Sequence, residues 1–107
     1  MIIRGTTPTV VFNVKTDLDL SDIVELWITF KPKSADPRHT DMTYTLDDVT
    51  IDPLLKTISL FMSQEDTLAF NEKPYNVQIR LRTSDDLAYA SSIIEEPIGK
   101  ILKDGVI

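Results

Sequence analysis

Residues 75–82 read Tyr-Asn-Val-Gln-Ile-Arg-Leu-Arg, so that Tyr75, Val77, Ile79 and Leu81 are apolar while Asn76, Gln78, Arg80 and Arg82 are polar. A side-chain period of two belongs to a β-strand, because successive Cβ atoms point to opposite faces of the pleated chain. One face of such a strand meets a core and the other meets water. The alternation predicts that Ile79→Ala costs roughly 2–5 kcal/mol and Gln78→Ala about 0.5 or less.

The pattern recurs along the chain. Val10, Phe12 and Val14 share a face of a strand over Thr9–Val14, and Val24, Leu26, Ile28 and Phe30 share one over Ile23–Lys31, with Glu25, Trp27 and Thr29 opposite. Asp41–Leu46 reads as a third strand, Val49–Ile51 as a short rung, and Lys56–Met62 as a further strand with Ile58, Leu60 and Met62 on one face. Ser63 is an N-cap followed by Glu65 and Asp66, which predicts one or two helical turns within 63–70, with Leu68 folding onto the core. Leu87–Ile94 returns from a turn at Thr83–Asp86. A two-residue loop there would set Leu81 opposite Ala90 and Val77 opposite Ile94, and a longer loop would shift that register. Pro32 and Pro37 mark an exposed loop over 32–40. Pro97 has no amide hydrogen, so the tail from Glu95 belongs on a sheet edge or bends away. Short strands with Asp- and Pro-rich turns suggest an antiparallel sandwich, with Ile58–Met62 and Tyr75–Leu81 as central strands.

Composition narrows the chemistry. The 107 residues fit one domain, 1–107, and contain no cysteine, which excludes thiolate chemistry and disulfides. The start of the chain lacks a signal-like apolar region and no run reaches the roughly 18 apolar residues a span needs, so the expectation is a cytoplasmic protein with no membrane partner. A net charge of −6 opposes nucleic-acid binding, which requires surplus Lys and Arg. His39 is the sole histidine and sits in the polar loop, where a solvated side chain is expected. It cannot by itself build a multi-histidine metal site, and the serines lack a nucleophile elbow. The acids at Asp17, Asp19 and Asp22, at Asp47, Asp48 and Asp52, and at Asp85 and Asp86 read as turn formers rather than calcium ligands or a catalytic pair. No cofactor, metal or catalytic residue is assigned, and the expected protein is not an enzyme.

The candidate interface residues are Trp27, Arg80, Arg82, Ile101 and Leu102. Trp27 points away from the core face of its strand, where it either anchors a protein contact, offers a sugar-stacking platform, or is covered by the 15–22 loop or the tail. Arg80 and Arg82 share its strand-face polarity and suit a partner carboxylate or neighbouring acids such as Glu95. The tail carries Ile98, Ile101, Leu102, Val106 and Ile107, and docks on its own domain or on another chain.

The opening Met1–Thr9, the segment Ser63–Phe70, the strand Val77–Thr83 and the ending Val106-Ile107 together resemble small prophage proteins of Gram-positive bacteria found among virion structural genes. More distantly, the strand order is similar to the immunoglobulin-like N-terminal domain of phage upper baseplate proteins. The resemblance implies an immunoglobulin-like antiparallel sandwich of roughly six to eight short strands. It also implies a non-enzymatic tail or baseplate role, with other phage structural proteins as partners, homo-oligomerisation as an option, and residence in the host cytoplasm during assembly or in the virion. A small carbohydrate-binding module using Trp27 and the acidic loops is the alternative.

Overall fold

The computed structural model describes residues 1–39 and 41–107; Thr40, the last residue of the expected 32–40 loop, lies outside the described residues. The architecture is an all-β sandwich with one short helix. Strands β1 (Ile2–Ile3), β2 (Thr9–Asn13), β3 (Ile23–Pro32), β4 (Met42–Thr45), β5 (Val49–Asp52) and β6 (Thr57–Phe61) precede helix α1 (Gln64–Leu68). Strands β7 (Tyr75–Thr83), β8 (Ala88–Ala90), β9 (Ile94–Glu96) and β10 (Ile98–Gly99) follow it.

One antiparallel sheet runs β2-β6-β5, and the larger runs β4-β3-β7 with β8 and β9 both on the outer edge of β7. The segments expected as central strands, Ile58–Met62 and Tyr75–Leu81, accordingly fall on β6 and β7, each flanked by a strand on both sides. Ile28, Phe30, Ile58, Leu60, Met62, Phe70 and Tyr75 are almost fully buried between the layers. Phe70 meets Tyr75 edge-on at 4.7 Å between centroids and Phe30 at 5.6 Å, joining the region after α1 to the core. Ser63 caps α1 by accepting from the Asp66 amide at 3.1 Å. The residues that α1 and its exit bury are Thr67 and Phe70, whereas Leu68 is only partly covered. No helix among the described residues is long and apolar enough to cross a membrane.

Three local expectations are corrected, and the hairpin register, open in the sequence, is fixed by the loop length. Val24 does not join Leu26, Ile28 and Phe30 in the core; a register shift between Ile23 and Glu25 turns Val24 outward and buries Ile23 opposite Thr83. The last hairpin has a three-residue loop, in which Thr83 N–H donates to Leu87 O and Asp86 N–H to Thr83 O, with Asp86 left-handed at φ 63°. That is a type I turn closed by a bulge residue, and it sets Leu81 opposite Tyr89 rather than Ala90. The returning strand then breaks between Ala90 and Ile94, where an inserted residue restores Val77 opposite Ile94. Ser91 fills the break: its hydroxyl accepts from Ile79 N–H at 3.0 Å and its amide donates to Ile79 O at 2.8 Å.

The third correction concerns the ends. The expected arm before Pro8 contains a strand, β1, which pairs in parallel with β10 so that Ile2 meets Ile98 and Ile3 meets Gly99. Ile2 and Ile98 are both buried. This pair and the split return strand bring the count to ten strands among the described residues, above the expected six to eight.

Candidate functional site

The outer face of the larger sheet gathers the residues that the alternation turned away from the core. Trp27 lies opposite Arg80 on β7 and Thr45 on β4, and remains 44 % exposed. The guanidinium carbon of Arg80 stands 5.5 Å from the centre of the Trp27 ring, within cation–π range. Arg82 reaches Glu25 at 3.2 Å and Asp86 at 3.6 Å, so its charge is met within the domain. Arg80 has no carboxylate within salt-bridge distance among the described residues, and Glu95 instead pairs with Lys33 at 2.8 Å. Across the next strand Ala90 faces Arg80 and Ala88 faces Arg82. Ala88, with Tyr89 and Glu25, lines a shallow hollow of about 150 Å³ beside Trp27 and the two arginines. The result is a flat aromatic surface with one spare cation, suited to an acidic or polar protein surface.

Ile101 and Leu102 are not brought to this face. Ile101 is partly buried on the domain's own surface: a Cβ on Gly5, itself at φ +74°, would stand 3.3 Å from its Cδ1 and 3.4 Å from Leu68. Leu102 is fully exposed. The tail then returns to α1, where the Gln64 side chain exchanges hydrogen bonds with the Ile107 backbone at 2.9 and 3.1 Å. Arg4 ties the same region by donating to Phe70 O and Leu68 O, both at 2.9 Å, a cation set against the carbonyl end of the helix.

Four of the eight acids singled out in the sequence hold turns through their side chains. Asp19 accepts from the Ser21 hydroxyl at 2.7 Å and its amide at 3.0 Å, and these bonds lower its pKa. Asp48 accepts from Thr45 N–H, Asp52 from the amides of Leu54 and Leu55, and Asp85 from the Thr83 hydroxyl.

His39 departs from expectation. It is half-buried, with Nδ1 2.9 Å from Asp36 Oδ2, and the same carboxylate accepts from Asn71 Nδ2 at 3.1 Å and, through its other oxygen, from Arg38 N–H at 3.0 Å. The Arg38 amide, with help from Asn71 and His39, outweighs burial and holds Asp36 at a pKa of about 2. Asn71 N–H in turn donates to the Tyr75 hydroxyl at 3.0 Å, so the network fastens the 32–39 loop onto the start of β7. Elsewhere burial, followed by the charge of Asp66, raises the pKa of Tyr44, whose hydroxyl donates to Asp66 at 3.1 Å.

Two further features escaped sequence reading. An apolar groove of about 700 Å³ opens between β2 and the β8/β9 edge, walled by Val10, Phe12 and Val14 on one side and by Ile79, Tyr89 and Ile94 on the other. On the outer face of the smaller sheet, Val11 and Phe61 stand exposed among Thr9, Asn13, Thr50 and Ser59. The alternation of β2 and β6 signalled outward positions, but not that apolar residues there would stay uncovered.

Comparison with protein-family models, with curated proteins and with solved structures finds no match to this chain.

Proposed function

We propose that the chain is a non-enzymatic structural or assembly protein of a phage or prophage, acting through protein contacts in the tail or baseplate. The observation that carries a contact role is the Trp27–Arg80 pair, half-exposed on a flat sheet face with a cation that no carboxylate of the described residues meets. Aromatic and arginine side chains at the centre of a flat patch are the usual anchors of protein interfaces. The assignment to a virion rests on the sequence resemblance of the opening, the helical segment and β7 described above. Arg80 already occupies part of the Trp27 ring environment, which leaves less of the indole open to a stacked sugar and favours a protein partner over a glycan.

The test is co-purification with the tail and baseplate proteins of the same phage. Trp27→Ala and Arg80→Glu should each abolish or sharply weaken it without lowering the melting temperature, Trp27→Ala by ~2 kcal/mol or more for a central aromatic anchor. Undiminished co-purification and normal virion yield with both variants would defeat the reading. A saturable change in the fluorescence of Trp27 on titration with oligosaccharides would instead support the carbohydrate-binding alternative.

A further inference from the structure

Strand β2 is an edge of the smaller sheet, and its hydrogen bonding to β6 fixes which backbone groups remain free. Met62 N–H donates to Pro8 O and Val14 N–H to Lys56 O, so the directly bonded pairs of this antiparallel ladder fall at the even-numbered residues of β2. The N–H and C=O groups of Thr9, Val11 and Asn13 therefore face outward. Such a row is a template for another strand unless a charge, a proline or a bulge spoils it. Residues 5–14 carry no charge, and Pro8 precedes the strand rather than interrupting it.

The other edges of the two larger sheets are guarded. Strand β4 is flanked by Asp41 and Asp47, β5 follows Asp48 and ends on Asp52, and the β8/β9 edge is broken between Ala90 and Ile94, with Glu95 and Glu96 in β9. In a chain of net charge −6, contact between two copies is opposed wherever acids would meet. The β2 edge is where that opposition is weakest. The side chain of Val11 and nearby Phe61 are exposed on the same outer face and would gain cover.

We propose that a second copy of this chain docks on β2, pairing antiparallel about a two-fold axis at Val11. In this register Val11 exchanges backbone hydrogen bonds with Val11 of the other copy, and Thr9 pairs with Asn13. The two small sheets become one continuous sheet, and the Val11 side chains stand opposite each other. A symmetric contact of this kind closes and stops at a dimer. This surface is separate from the Trp27 face, so the dimer neither requires nor excludes the proposed partner there.

Sedimentation velocity over a dilution series of the full chain, up to about 100 μM, should show a monomer–dimer equilibrium governed by mass action. Val11→Lys places like charges across the two-fold axis at a half-exposed position and should raise the dissociation constant by at least ~10-fold with the circular dichroism spectrum unchanged. Hydrogen exchange gives a readout on the wild-type chain: the amides of Thr9, Val11 and Asn13 should gain protection as concentration rises. A monomer throughout the series, a dimer that Val11→Lys leaves intact, or exchange at these amides independent of concentration would each overturn the proposal.

Discussion

Gln78 and Ile79 show how far a residue's place in an alternating pattern sets its worth. Ile79 is 8 % exposed and faces Ile28 across the sheet, so Ile79→Ala should cost ~2–4 kcal/mol in urea unfolding. Gln78 is not the neutral surface residue that its polarity suggests. Its Nε2 donates to Ser91 O at 2.9 Å and closes the break between β8 and β9, so Gln78→Ala should cost ~1 kcal/mol. Equal losses from the two substitutions would show that β7 is buried on both faces. Asp36 supplies a second prediction at this scale. A carboxyl held near 2 contributes stability that is complete above the ordinary carboxylate range and is lost as pH falls from about 4 towards about 2. The urea midpoint of the wild type should fall through that window, and Asp36→Asn should lose part of the fall. An identical pH profile for the variant would assign the acid sensitivity to other carboxylates.

Among the elements, the hairpin loop and α1 are decided by single positions. Asp86 holds a left-handed conformation that costs a residue with a Cβ, so Asp86→Gly should stabilise the protein by ~0.5–1 kcal/mol, even after loss of the exposed Arg82 contact. A drop in melting temperature would mean that the ion pair outweighs the backbone. Helix α1 spans only Gln64–Leu68, too short to persist by propensity, and depends on its cap and on burial of Thr67 and Phe70. Ser63→Ala should cost ~1 kcal/mol by leaving the Asp66 amide without its acceptor. The broken return strand belongs to the same scale: a three-residue loop and an inserted residue offset each other, so the register is lost and regained within one strand.

For the whole molecule, the β1–β10 pair ties the two ends of the described chain to one another. Removing residues 97–107 would strip Ile98 from the core and expose Ile2, at ~3 kcal/mol or more for two buried aliphatic side chains. Ile2→Ala and Ile98→Ala should also be non-additive, with a coupling of ~0.5 kcal/mol or more in a double-mutant cycle. Strict additivity would show that the two ends are held independently. The tail therefore contributes to stability through its first residues, whereas Leu102 is free of any such role and remains exposed.

The strands, their inward faces and the helical turn were legible because each depends on neighbours a few residues apart: alternation for β2, β3, β6 and β7, and a Ser cap with acids in the first turn for α1. Trp27, Arg80 and Arg82 were placed outward by the same period. Their convergence was not legible, since it depends on β3 lying beside β7 in one particular register. The bulge that exposes Val24, the Ser91 break, the tie from Asn71 to the Asp36–His39 pair and the pairing of β1 with β10 arise from partners distant in sequence, and no local pattern encodes them. The groove and the free β2 edge are more remote still. They are properties of how wide one sheet is relative to the other, which is settled only when the layers pack.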